Sequence, residues 1–159
     1  MTASTNTLIH DTFTLERRYE ARVADVWRAW TDPELRQKWF RGPDDSMMIE
    51  RQQDLRPGGV EILHGRMASG LETKYVARIH VVVPDRQLVH DYDMHVGGAL
   101  LSCTLASVEM IADGDHTMLR YTEQGVYFDG HAESPKHRTR GVSWHLDNLR
   151  GVLAGLTRS

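Results

Sequence analysis

A glutamate, a histidine and two tyrosines, Glu61, His90, Tyr92 and Tyr121, occupy segments that read as β-strands. Successive side chains of a strand point to opposite faces. Period two therefore assigns Glu61, Leu63, Ile79, Val81, His90, Tyr92, Leu119 and Tyr121 to one face of a sheet. On a mostly apolar face, a carboxylate without a charged partner holds its proton, and a nearby imidazole can take it. Glu61 and His90 are thus a candidate acid–base pair for a cyclase- or hydrolase-type enzyme. A second reading stays open, with Glu61 on the wet face or at a sheet end and His90 as a satisfied core histidine.

Other chemistries find less support. The densest grouping among nine histidines is His90, Asp93 and His95. Strand alternation puts His90 and His95 on opposite faces, and neither a His-x-Glu-type helix pair nor a Cys/His quartet occurs, so no metal is expected. No serine sits on a Gly-x-Ser-x-Gly elbow. Arg56-Pro57-Gly58-Gly59 precedes a strand rather than a helix and does not read as a phosphate loop. No cofactor is expected. Cys103, the single cysteine, lies among alternating apolar residues and reads as a small buried side chain; with no intramolecular disulfide available, it fits a reducing compartment.

The aromatics are concentrated early, in AWTDPELRQKWFRGPDD, residues 29 to 45. Trp27 and Trp30 share the inner face of a first short helix, where burial in the fold accounts for them. Trp39 and Phe40 end a second helix just before Gly42-Pro43. A large aromatic there both seals a core and offers a flat apolar surface to a ring or acyl chain, which makes Trp39 a candidate cavity residue.

These residues need elements to hold them. Leu8 to Tyr19 has strand composition, and residues 1–7 form a polar tip expected to be flexible. Val26, Trp27 and Trp30 recur at helical spacing from Ala24 to Trp30. Asp32 can cap a second helix that opens with Pro33 and runs to about Trp39. Strands follow at about Met47–Leu55, Val60–Met67, Lys74–Val83, Arg86–Met94, Leu100–Ile111 and His116–Gln124, separated by turn residues. Ala112-Asp113-Gly114-Asp115 signals a hairpin loop longer than two residues. Phe128 to Arg138 is polar, contains Gly130 and Pro135, and reads as a loop. From Gly141 to Leu156, Val142, Leu146, Leu149, Leu153 and Leu156 share one helical face, with Trp144, Asn148, Gly151 and Gly155 opposite. His145 lies about 60° from the centre of the apolar face, at the cavity or its rim.

The order is α+β: a strand, two short helices, six strands in meander and a C-terminal helix at 141–157. A seven-stranded, strongly curved antiparallel sheet wrapped around that helix satisfies every connection without crossings. The 159 residues fit one domain, 1–159, that buries roughly two-thirds of its unfolded surface. A net charge of −3 without a Lys/Arg run gives no field for a nucleic acid backbone. The first residues lack a signal-peptide pattern and no window approaches the ~18 apolar residues of a spanning helix, so no membrane partner is expected and the location reads as cytoplasmic. Trp144, opposite the apolar stripe, needs a cover: a loop of the same chain or, in the alternative, a second copy in a homodimer.

Ala21-Arg22-Val23-Ala24-Asp25-Val26-Trp27-Arg28-Ala29-Trp30-Thr31-Asp32-Pro33-Glu34, Trp39, Asp54-Leu55-Arg56-Pro57-Gly58-Gly59, Pro84-Asp85-Arg86-Gln87-Leu88, Thr122-Glu123-Gln124-Gly125 and Gly141 through Leu149 together resemble one family. It comprises the homologues of the activator of the ninety-kilodalton heat-shock chaperone ATPase, within the START-like helix-grip superfamily, also called SRPBCC. The resemblance spans nearly the whole chain. It implies a helix-grip fold with a deep hydrophobic cavity between the curved sheet and the last helix. It also implies functions ranging over lipid and hormone carriers and aromatase/cyclases, and its name implies a chaperone partner. The chain departs from the pattern at Val142 and at Glu61, where relatives commonly carry aromatics. The function expected is binding of a hydrophobic or aromatic small molecule, with Trp39, Leu63, His90, Tyr92, Tyr121, His145, Leu146 and Leu149 as contacts.

Overall fold

The structure, a computed structural model, describes residues 6–157, without the side chain of residue 157; most of the expected tip lies outside them. The chain forms β1 (Ile9–Tyr19), α1 (Val23–Thr31), α2 (Pro33–Arg36), β2 (Met47–Gln53), β3 (Val60–Arg66), β4 (Glu72–Val83), β5 (Gln87–Val96), β6 (Ala99–Asp113), β7 (His116–Tyr127) and α3 (Ser134–Thr157). The seven strands make one sheet in the order β1-β7-β6-β5-β4-β3-β2, with every neighbouring pair antiparallel. Two short helices thus carry the chain between the two edge strands, and the curved sheet grips α3 as a helix-grip fold requires.

Local chemistry sets the boundaries. The Asp32 carboxylate accepts from the Glu34 amide at 2.9 Å and Pro33 opens α2, a capped start that needs no proline N–H. The β6–β7 hairpin is tighter than expected. Asp113 pairs with His116, so only Gly114 and Asp115 form the loop, and Gly114 takes φ +59°, open to glycine at no steric cost.

The alternation fails at one predicted inward residue. A bulge between Ile79 and Val81 reverses the facing of β4, leaving Val81 exposed while Val82 packs on the core. Glu61, Ile79, His90, Tyr92, Leu119 and Tyr121 are buried as period two requires. The α3 stripe behaves likewise: Leu146, Leu149 and Leu153 are buried in the core, with Val142 and Leu156 against it. Tyr19 fixes the helix to β1 by donating to the Leu146 carbonyl at 2.8 Å.

Two further expectations are corrected. The segment from Ser134 to Arg138, read as loop, is the first part of α3. Pro135 sits in the opening turn, where its missing N–H breaks no helical bond, so the residue that suggested a loop is compatible with a helix start. Cys103 is half-buried rather than buried. Its thiol lies beside Asp93, and burial followed by this carboxylate pushes it up to about 11.

Candidate functional site

The centre of the sheet's inner face carries small side chains. Ala77, Ser102, Thr104 and Ala106 are all buried there, so the sheet reaches less far toward α3 than leucines would allow. Larger residues stand around them. Between sheet and helix lies a cavity of about 570 Å³, bordered by Trp30, Trp39 and Phe40 from the α1–α2 region, Tyr75, Tyr92 and Tyr121 from the sheet, and Arg138, Val142 and Leu146 from α3. An outer groove of about 470 Å³ shares Phe40, Met67, Tyr75, Met94 and His145 with it.

One wall is aromatic. Trp30 and Trp39 meet edge to face at 4.7 Å, Phe40 meets Tyr75 at 5.0 Å, and Tyr75 meets Tyr92 at 4.8 Å. Trp39 is held from behind, its indole N–H donating to the Ala29 carbonyl at 2.9 Å. The wall therefore presents fixed ring surfaces. Trp30, Trp39 and Phe40 of the 29–45 stretch border one side of this space.

Behind that wall sits a buried ion pair. Arg36 donates to Glu61 through Nε at 2.5 Å and Nη2 at 2.7 Å, and the Tyr75 hydroxyl adds a bond to Glu61 at 3.2 Å. The guanidinium lies 4.3 Å from the Phe40 ring centroid. Burial alone would raise the Glu61 carboxyl, but Arg36 and its hydrogen bonds hold it below the usual carboxylate range. This corrects the acid–base expectation. Glu61 and His90 do face inward together, yet Glu61 has a charged partner and no proton to offer. Glu61 also does not border the large cavity. Burial lowers the His90 imidazole to about 4, so it is neutral near pH 7.

The polar end of the cavity is elsewhere. Glu123, only 2% exposed, accepts at Oε2 from Tyr92 Oη at 2.7 Å and from Tyr121 Oη at 2.5 Å. Arg138 approaches from α3, donating through Nη1 to Tyr92 Oη at 2.8 Å and to Thr104 at 3.2 Å, and through Nη2 to Ser102 at 2.7 Å. Its Nη1 lies 3.6 Å from Glu123 Oε1. Burial raises the Glu123 carboxyl against the opposing pull of Arg138 and the two phenols. Sequence reasoning missed both charged members. Glu123 was legible, since it continues the inward series Leu119, Tyr121; Arg138 was hidden by the assignment of its segment to a loop.

Of the predicted contacts, Trp39, His90, Tyr92, Tyr121, His145 and Leu146 border the large cavity, and Leu63 borders only the outer groove. Leu149 borders neither and is packed in the core. His145 is placed by a contact between Nδ1 and the Trp39 carbonyl at 3.1 Å, and burial lowers it to about 4. Trp144 is 41% exposed, with the Arg41 guanidinium 5.3 Å from its ring centroid. A residue of the same chain supplies its partial cover. Among the described residues no cluster of His, Cys, Asp and Glu has the arrangement of a metal site, and no helix is long and apolar enough to cross a membrane.

Residues 20–154 match the family described as Activator of Hsp90 ATPase homolog 1-like protein. The chain is similar to a solved protein from Rhizobium leguminosarum, at 32% identity over 93% of this chain and 97% of that one, with a TM-score of 0.88. It is also similar to one from Rhizobium loti, at 34% identity over 93% and 100%, with a TM-score of 0.85. A protein from Chromobacterium violaceum shares the fold at 22% identity over 89% and 96%, with a TM-score of 0.74. No curated protein matches the chain.

Proposed function

The chain belongs to the Activator of Hsp90 ATPase homolog 1-like family, and from that premise we propose that it is a binding module whose cavity encloses an apolar or aromatic small molecule. The fold is compatible with ligand binding and with a co-chaperone role. The observation that favours ligand binding is the cavity of about 570 Å³, within the range of small-molecule sites, with aromatic walls and a few convergent polar groups. The rings are fixed by their own packing, so little ordering would oppose association.

An enzyme using Glu61 and His90 fits the geometry less well, because the Glu61 carboxylate is neutralised by Arg36 and does not itself border the cavity. Native mass spectrometry of protein isolated from its own host, followed by a thermal-shift screen of hydrophobic compounds, tests the binding reading. A retained small molecule, or a concentration-dependent rise in Tm with apolar ring compounds, supports it. Protein that carries nothing and is shifted by none of them argues against it.

A further inference from the structure

The cavity wall contains buried polar atoms without a hydrogen-bond partner at two places. At one, Arg36 Nη1 and Trp30 Nε1 are unpaired. Both residues also border a small separate void, about 10 Å³, shared with Glu61 and His90. That is near the lower limit of room for one water, which could serve both donors, so this place needs no ligand.

The other place is different. Glu123 Oε2 already receives two phenolic hydrogens, whereas Oε1 is buried and accepts no hydrogen bond, its ion-pair partner Arg138 Nη1 standing at 3.6 Å, beyond hydrogen-bond distance. Tyr92 and Tyr121 have spent their hydrogens on Glu123, and Arg138 directs its terminal nitrogens to Tyr92, Thr104 and Ser102. Within this cluster, on a residue that borders the cavity, what remains without a hydrogen bond is an acceptor, Glu123 Oε1. Leaving such a buried oxygen without a hydrogen bond is costly, and a ligand that supplies a donor removes that cost.

We propose that Glu123 is a specificity-determining residue that selects ligands whose apolar ring system carries a hydroxyl, the hydroxyl donating to Oε1. The inference rests on the small-molecule reading above and names the group that the site recognises. A carboxylate on the ligand has no hydrogen to donate to Oε1 and would bring a second acid group against Glu123. An ammonium would stand beside the Arg138 guanidinium. A neutral phenol or alcohol meets neither objection and supplies the missing proton.

Three probes of similar shape separate the possibilities: 2-naphthol donates, 2-methoxynaphthalene only accepts, and 2-methylnaphthalene does neither. Titration calorimetry on the full chain at pH 7 is expected to give 2-naphthol a preference of about tenfold or more over both others. In Glu123→Gln the amide oxygen must stay on the two phenols, which turns the NH₂ toward the former Oε1 position. The ranking then reverses in favour of 2-methoxynaphthalene. A measurement on the unaltered protein guards against misfolding of the variant: the hydroxyl proton of bound 2-naphthol is expected downfield of its position in the free compound. Equal binding of all three probes, or an unshifted hydroxyl proton, overturns the role of Glu123 and leaves the cavity reading intact. Binding of none of them overturns both.

Discussion

Replacing Arg36 by methionine removes the guanidinium but keeps a long apolar side chain beneath Trp30, Trp39 and Phe40. Both side chains of the Arg36–Glu61 pair are only 4% exposed, and Tyr75 is the other group that donates to Glu61. The stranded carboxyl can stay charged without its counter-ion or take a proton. Taking a proton at pH 7 against an ordinary value of 4.5 costs about 3.4 kcal/mol, and breaking a buried pair from one side generally costs about 3–5 kcal/mol. At about 2–4 °C per kcal/mol for a chain of this size, Arg36→Met is expected to lower Tm by on the order of 10 °C at pH 7. Thermal and urea unfolding of wild type and variant should be compared at pH 7 and again near pH 4.5. Near pH 4.5 the protonated form costs little, so the difference should shrink to about 1 kcal/mol or less. The double replacement Arg36→Met with Glu61→Met should recover most of the stability at pH 7, because no charge is left unpaired. A loss below about 1 kcal/mol at pH 7, or one equally large at both pH values, would show that Arg36 does not neutralise a buried carboxylate.

His90 and His145 are held near 4 by burial while the unfolded chain titrates near 6.5, so the unfolded state binds more protons between those values. Stability should therefore fall as pH drops from about 6.5 toward 4, and His90→Gln should flatten that part of a urea-denaturation pH profile if it still folds. Gly59→Ala should destabilise by several kcal/mol in the same assay, since the added carbon would stand 2.0 Å from the Asp54 carbonyl oxygen. Gly151→Ala, by contrast, meets no heavy atom within 4 Å on the exposed side of α3 and should raise stability by about 0.5–1 kcal/mol.

The sheet was legible because six strands lie in a meander bounded by turn residues, and because the inner face follows period two closely. His90, Tyr92, Leu119 and Tyr121 were placed by alternation alone. The same rule failed at Val81, where one extra residue reversed the facing, and a bulge of that kind leaves no mark in hydrophobic pattern. The Glu61–Arg36 pair was hidden for another reason. Arg36 lies in a short helix whose composition reads as solvent-facing, and only the tertiary fold brings it 25 positions along the chain to Glu61. The polar end of the cavity divides in the same way: Glu123 follows the alternation, while Arg138 depends on a helix start that Gly130 and Pro135 disguised.

Gly141 borders the cavity on α3, and a Cβ added there meets no heavy atom within 4 Å, so a side chain can start from this position without a clash at its root. Calorimetric titration of Gly141→Phe with 2-methylnaphthalene, beside the wild type, asks whether that space is what holds a guest. Enclosure by the cavity predicts roughly tenfold weaker binding or worse in the variant, with an unfolding midpoint at or above that of the wild type. Undiminished affinity in a fully folded Gly141→Phe protein would contradict it.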